Sequence, residues 1–178
     1  MSDRPDFIAH WTQLETGDDS HYPGDAELMA IGAPVGRALG LTRIGIHHQR
    51  LAPGRRTSYP HAESAEEEFA FVIEGRPDVW IDGHLHALKP GDCVGLPAGT
   101  GVCHTFLNNT GEEVRLLVVG EAAKPGNRIR YPLNPATKRP GRTAGSIRPP
   151  PPRSLSTYRT AGEKTFEVFP PVVTSPPV

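Results

Sequence analysis

The chain has 178 residues, a formal net charge of −1, 37% hydrophobic and 22% charged residues, and 20 prolines beside 19 glycines. That length allows one domain with a real core plus an extension, and so much proline and glycine excludes a helical bundle in favour of a fold with many turns. No apolar run approaches membrane-spanning length, and the N-terminal MSDRPDFIAHW lacks the basic-then-apolar pattern of a signal peptide, so a cytoplasmic protein without membrane contact is expected.

The near-neutral charge hides a segregation. Residues 1–121 carry 9 Lys and Arg against 18 Asp and Glu, whereas residues 122–178 carry 10 basic residues against 2 acidic ones. The basic residues of the second part are scattered among prolines rather than clustered, so they fit neutralisation of an acidic body better than a nucleic-acid surface. Cys93 and Cys103 lack the close spacing of a redox or zinc motif and are expected to be two small, buried, unpaired thiols.

In chain order, residues 1–26 mix polar residues with Phe7, Ile8, Trp11 and Tyr22, which predicts an ordered arm packed on a body. Residues 27–121 carry the period-2 signal of strands. Ile44 and Ile46 alternate with Gly45 and His47, and Pro53-Gly54 ends that run. In EEFAFVIEG, Phe69, Phe71 and Ile73 share one face while Glu68, Ala70 and Val72 share the other. DVWIDGHLHALKPGD reads as a hairpin whose Asp82-Gly83 supplies the positive φ angles of a two-residue turn. Further strands are expected over Val102 to Leu107, with His104 and Phe106 on one face, and over the strongly apolar EVRLLVVG of 113–120. Short strands at regular spacing with no amphipathic helix predict an all-β sandwich or barrel. Residues 122–178 hold 12 of the 20 prolines, including the run Pro149 to Pro152, and read as a basic, Pro-rich extension in polyproline or irregular coil. Their apolar TFEVFPPVV could dock as a strand or clip on a neighbouring subunit.

Two blocks carry the chemistry, PGRRTSYPHAESAEEEFAFVIEG and GDCVGLPAGTGVCHTFLNN. They resemble the two motifs of the cupin superfamily over roughly Leu41 to Glu121. In the first, Glu68 and Gly75 keep the family's spacing and His61 stands at the first histidine of its His-x-His. Glu63 takes the second histidine's place, and Gly54 lies one residue further out than the pattern asks. In the second, Gly91, Pro97, Gly99, His104 and Asn108 match, with four residues rather than two between Gly99 and His104. The resemblance implies a double-stranded β-helix, or jelly roll, with a metal held inside by residues of both motifs.

Under that resemblance the ligand set is His61, Glu68 and His104, with Glu63 as a fourth member two residues from His61. Imidazole and carboxylate donors suit a divalent transition ion such as Fe, Mn or Zn and leave coordination positions open. A divalent ion with two His and two carboxylates has zero net charge by simple counting, against about +1 with three His and one Glu. The alternative is a barrel without metal, its histidines hydrogen-bonded in the interior. Against it, two glutamates facing an apolar barrel are costly to ionise without a compensating cation.

Other polar residues are assigned lesser parts. Glu66 and Glu67 are expected in solvent or at the barrel mouth, with Glu67 pointing away from the cavity. Arg55 and Arg56 either bind a substrate anion or pair with the acidic run as a surface turn, and Tyr59 and His48 are weaker pocket candidates. His84-Leu85-His86 is expected to be an exposed strand rather than a ligand pair, and Asn108-Asn109-Thr110 a glycosylation match without significance. Three functions follow for a small-molecule-binding cupin. It could be an isomerase or lyase acting on a sugar- or hydroxyacid-like molecule, a non-haem iron dioxygenase, or a non-catalytic binder. The apolar arm and tail suggest a homodimer with arm exchange.

Overall fold

The alternation of apolar and polar residues between turn sequences becomes strands in the computed structural model of the chain, which describes residues 4–135. After a 3-10 turn at Trp11–Gln13 come β1 (Ile31–Ala33), a single helical turn α1 (Val35–Ala38), β2 (Ile44–Leu51), β3 (Ala62–Glu63) and β4 (Glu68–Glu74). They are followed by β5 (Asp78–Ile81), β6 (His84–Ala87), β7 (Cys93–Leu96), β8 (His104–Leu107), β9 (Val114–Glu121) and β10 (Ile129–Arg130). One sheet runs β1-β2-β9-β4-β7, a second β6-β5-β8, and β10 pairs with β3. A bridge between His61 and His104 joins the β3 segment to β8, so the antiparallel strands form the two layers of a jelly roll.

Side-chain alternation decides what lies between the layers. Ala70 and Val72 of β4 point inward with Val114, Leu116 and Val118 of β9 and Leu51 of β2, and Val79 and Phe106 join the same cluster from the smaller sheet. Burying one such side chain stabilises the fold by about 1.5–3 kcal/mol. The opposite face of β4 leaves Phe69 and Ile73 substantially exposed.

Two turns hold the register. Asp82 and Gly83 adopt φ angles of 45° and 98° in the hairpin joining β5 to β6. Gly75 ends β4 at φ 81°, where a Cβ would stand 2.8 Å from both the Glu113 carbonyl oxygen and Val114 Cγ2. Glycine is required there twice over, for the backbone angle and for the space.

The N-terminal residues pack on the barrel of their own chain. Trp11 stacks on His48 with ring centroids 4.0 Å apart, and the Arg115 guanidinium lies over the Trp11 ring. Tyr22 stacks on Tyr59 at 3.9 Å and meets Tyr131 edge-on. Arg50 pairs with both Glu15 and Glu113.

One correction concerns the segment after Glu121, where coil was expected. Ile129–Arg130 forms a strand against Ala62–Glu63, and Ile129 and Tyr131 are buried. A two-residue strand is too short to show a period, so only its partner reveals it. Residues 136–178, with Pro149 to Pro152 and TFEVFPPVV, lie outside the described residues.

Candidate metal centre

Backbone pairing brings the two motifs together. His61 and His104 exchange both backbone hydrogen bonds, at 3.1 and 2.9 Å. Residues opposed in this way project their side chains from the same face of a sheet, and the two imidazole centroids lie 4.8 Å apart. Glu68 reaches them from the facing layer, where it opens β4 between Leu96 and Gly120. Donor atoms of His61, Glu68 and His104 all lie within 4.8 Å of one another.

Each histidine is prepared differently. Nδ1 of His61 lies 3.0 Å from the Tyr59 carbonyl oxygen, which can only accept, so Nδ1 carries the hydrogen and Nε2 keeps its lone pair. Neither ring nitrogen of His104 finds a hydrogen-bond partner among the described residues, although the side chain is buried. Its Nε2 stands 3.5 Å from Glu68 Oε1. A buried imidazole without a hydrogen bond is costly to keep, and a metal ion is one group that would satisfy it.

A cavity of about 190 Å³ opens beside these residues. Glu63, Glu66, Glu68 and His104 line it together with Ile81, Leu96, Pro97, Thr100 and Val102. Glu63 therefore shares the cavity but is not one of the three residues whose donor atoms converge. Its Oε2 accepts a hydrogen bond from Asn127 Nδ2 at 3.1 Å.

Glu66 is not a solvent or rim residue. It is 6% exposed and lines the cavity, with Oε1 accepting the Lys124 backbone N–H at 2.8 Å. The donor comes from 58 residues further along the chain, which local patterning does not reveal. Glu67 is exposed, as its alternation with Glu68 requires.

Both arginines that might have held a substrate anion are engaged by the N-terminal residues. Arg55 pairs with Asp18 and also donates to the Met29 carbonyl. Arg56 pairs with Glu27 and lies over the Tyr59 ring, 5.0 Å from its centroid. Their partners are thus acids of the N-terminal segment, not of the run at 63–68. The Tyr59 hydroxyl donates to Asp25, whose carboxyl it holds below the usual carboxylate range. His48 sits under Trp11, and it does not line the cavity.

His84 and His86 are exposed on β6, as the hairpin reading expected. Asn108 is fully buried and donates to the carbonyls of Leu51 and Glu112 at 2.8 and 2.7 Å. Its motif position reflects a clamp on the β8–β9 turn. Both cysteines are free, but Cys93 is exposed rather than buried because its side chain falls on the outer face of β7. Burial pushes the Cys103 thiol up to about 11.

Known proteins agree with this architecture. Residues 47–120 match the family model for the cupin domain. The polyketide synthase CurC of Streptomyces cyaneus is 32% identical over 94 residues, covering 53% of this chain and 56% of that protein. A sugar phosphate isomerase from the cupin superfamily of Silicibacter pomeroyi is 34% identical, with a TM-score of 0.55 over 57% of this chain and 64% of that one. The chain thus spans less than two thirds of either relative. The polyketide cyclase RemF of Streptomyces resistomycificus shares the fold at 22% identity, with a TM-score of 0.55 over 68% of this chain and 82% of its own. With their paired motifs, their jelly roll and the converging His, Glu and His side chains, residues 47–120 form a cupin domain.

Proposed function

We propose that this cupin is a metal-dependent enzyme of isomerase or lyase type, moving a proton on a small sugar-like carbonyl compound. The observation that carries the reading is the convergence of His61, Glu68 and His104 beside a cavity that holds two further carboxylates, Glu63 and Glu66. His61 through Nε2, His104 and Glu68 would hold the ion, and two nitrogens with one oxygen suit iron, manganese or zinc. When bound there, a divalent ion polarises a carbonyl and stabilises negative charge developing on its oxygen.

The chain's own residues supply the rest. Glu63 and Glu66 are placed to accept a proton from carbon and return it to a neighbouring atom, each oriented by a hydrogen bond from the segment after β9. Ile81, Leu96, Pro97 and Val102 give the cavity a partly apolar wall that limits water around the reacting carbon. Isomerising a sugar requires such a proton shift, and the 34%-identical relative is named a sugar phosphate isomerase. Three glutamates among the described lining disfavour a phosphate dianion in the cavity itself, so an unphosphorylated substrate fits better.

The test begins with metal analysis of protein purified without chelator, followed by NMR of deuterium incorporation from solvent into small aldoses, ketoses and their phosphates. Metal-dependent exchange that disappears in Glu66→Gln or Glu63→Gln is the expected result. Protein that takes up no divalent ion refutes the reading. A second reading rests on the ligand set itself, because two histidines and one carboxylate also serve non-haem iron oxygenases. Oxygen uptake with Fe(II) and candidate catechols or keto acids, without deuterium exchange, would favour that one. Bound metal with neither activity would leave a ligand-binding cupin.

A further inference from the structure

Asn127 lies beyond the cupin-matched residues 47–120 and is only 4% exposed. Its Oδ1 accepts the Ala65 backbone N–H at 2.9 Å and the Ser64 hydroxyl at 3.3 Å. An amide oxygen committed to those donors fixes the side chain's orientation, so the group facing Glu63 is the donor Nδ2, at 3.1 Å from Oε2. The backbone around it is also tied down. Ser64 N–H donates to the Arg128 carbonyl at 3.0 Å, Arg128 N–H donates to Ser64 Oγ at 2.8 Å, and Ile129 pairs with Glu63 across β10 and β3. Glu63 thus accepts a rigidly placed hydrogen bond, while the converging donor atoms belong to His61, Glu68 and His104.

We propose that Asn127 is a positioning residue that keeps Glu63 out of the metal's ligand set and in the cavity as a hydrogen-bond acceptor facing the substrate. The inference rests on the reading that His61, Glu68 and His104 bind a divalent ion. It has a chemical consequence. With Glu63 as a ligand, two histidines and two carboxylates cancel the ion's charge; with Glu63 held by Asn127, about one positive charge remains to polarise a carbonyl. The short segment after β9 therefore decides how strong a Lewis acid the centre is.

The experiment uses Co(II) as a visible probe of coordination and measures its affinity by chelator competition on the full chain. Wild type is compared with E68Q, E63Q, N127A and the N127A/E63Q double variant. E68Q should lose Co(II) binding, whereas E63Q, which removes a nearby charge but no ligand, should still bind Co(II) and keep the wild-type spectrum. N127A should alter the spectrum as the released Glu63 joins the ion, and the double variant should restore the wild-type spectrum. A purely structural role for Asn127 predicts instead that the altered spectrum persists in the double variant, and that result overturns the proposal. So does an E63Q variant that loses binding as E68Q does, or an N127A spectrum identical to wild type. If N127A does not fold, N127D takes its place in the same comparison, because it keeps the Oδ1 acceptor for Ala65 and Ser64 and removes only the Nδ2 donor that faces Glu63. Wild-type protein that binds no Co(II) overturns the metal reading itself, an outcome distinct from all of these because no variant can then differ from wild type.

Discussion

Replacing His104 with leucine separates a ligand from a structural histidine, because the two roles predict opposite effects on stability. The imidazole is 4% exposed with no hydrogen bond at Nδ1 or Nε2 among the described residues. An unsatisfied buried polar atom costs about 1–3 kcal/mol, whereas an apolar replacement of similar size costs under about 1.5 kcal/mol in packing. Without metal, His104→Leu should therefore be as stable as wild type, or more stable by up to about 2 kcal/mol, even with its contact to Glu68 gone. With metal at one hundred times its Kd, wild type should gain about 2.7 kcal/mol, while the variant gains nothing. For a chain of this size about 2–4 °C accompanies each kcal/mol, so the wild-type Tm should rise by about 5–11 °C on adding metal. Differential scanning calorimetry of metal-free and metal-loaded protein reads both effects, with His86→Ala as the exposed control that keeps the full rise. The reasoning is refuted if metal-free His104→Leu loses more than about 2 kcal/mol, or if its Tm still rises with metal.

Three further outcomes are expected. Alkylation of the native protein should modify one cysteine, Cys93, with Cys103 reacting only on denaturation, because Cys103 is 1% exposed and its thiol is raised to about 11; mass spectrometry showing both labelled at equal rates would contradict the burial. Burial, helped by the nearby Arg115, holds His48 below the ordinary 6.5, so the unfolded chain takes up that proton first and stability falls as pH drops through about 6.5. His48→Phe, which keeps a ring under Trp11, should flatten that part of the Tm profile, and an unchanged slope would assign it to other groups. Asn108→Ala removes the amide donor to the Leu51 and Glu112 carbonyls, of which Glu112 keeps the Thr110 hydroxyl, and should destabilise the fold by about 1–3 kcal/mol in urea titrations; a loss under about 0.5 kcal/mol would show that the clamp is dispensable.

Much of the site was legible because its residues sit in strands whose turns announce themselves. The Asp82-Gly83 hairpin, the alternation through Glu68, Ala70 and Val72, and the spacing of His61 and His104 within their motifs all follow from local rules. Glu66 and Asn127 did not follow. Both look like ordinary polar residues of a loop, and their burial depends on partners about sixty residues away. Arg55 and Arg56 were open to two readings until acids of the N-terminal segment claimed them, since a salt bridge between distant segments leaves no periodic trace.

The sequence by itself determined an all-β fold of short strands, because side-chain period and turn chemistry are properties of neighbouring residues; the resemblance of its two motifs to those of cupins added the jelly roll and the expected ligand set of His61, Glu63, Glu68 and His104. Only the tertiary structure decided which of the four acids between Glu63 and Glu68 face the cavity and which of those stand with the histidines. That choice lies in where the segment after β9 returns, as Lys124 and Asn127 bring their N–H groups against Glu66 and Glu63. Hydrogen bonds closed across so long a stretch of chain are made by the packing of layers, and no local pattern encodes them.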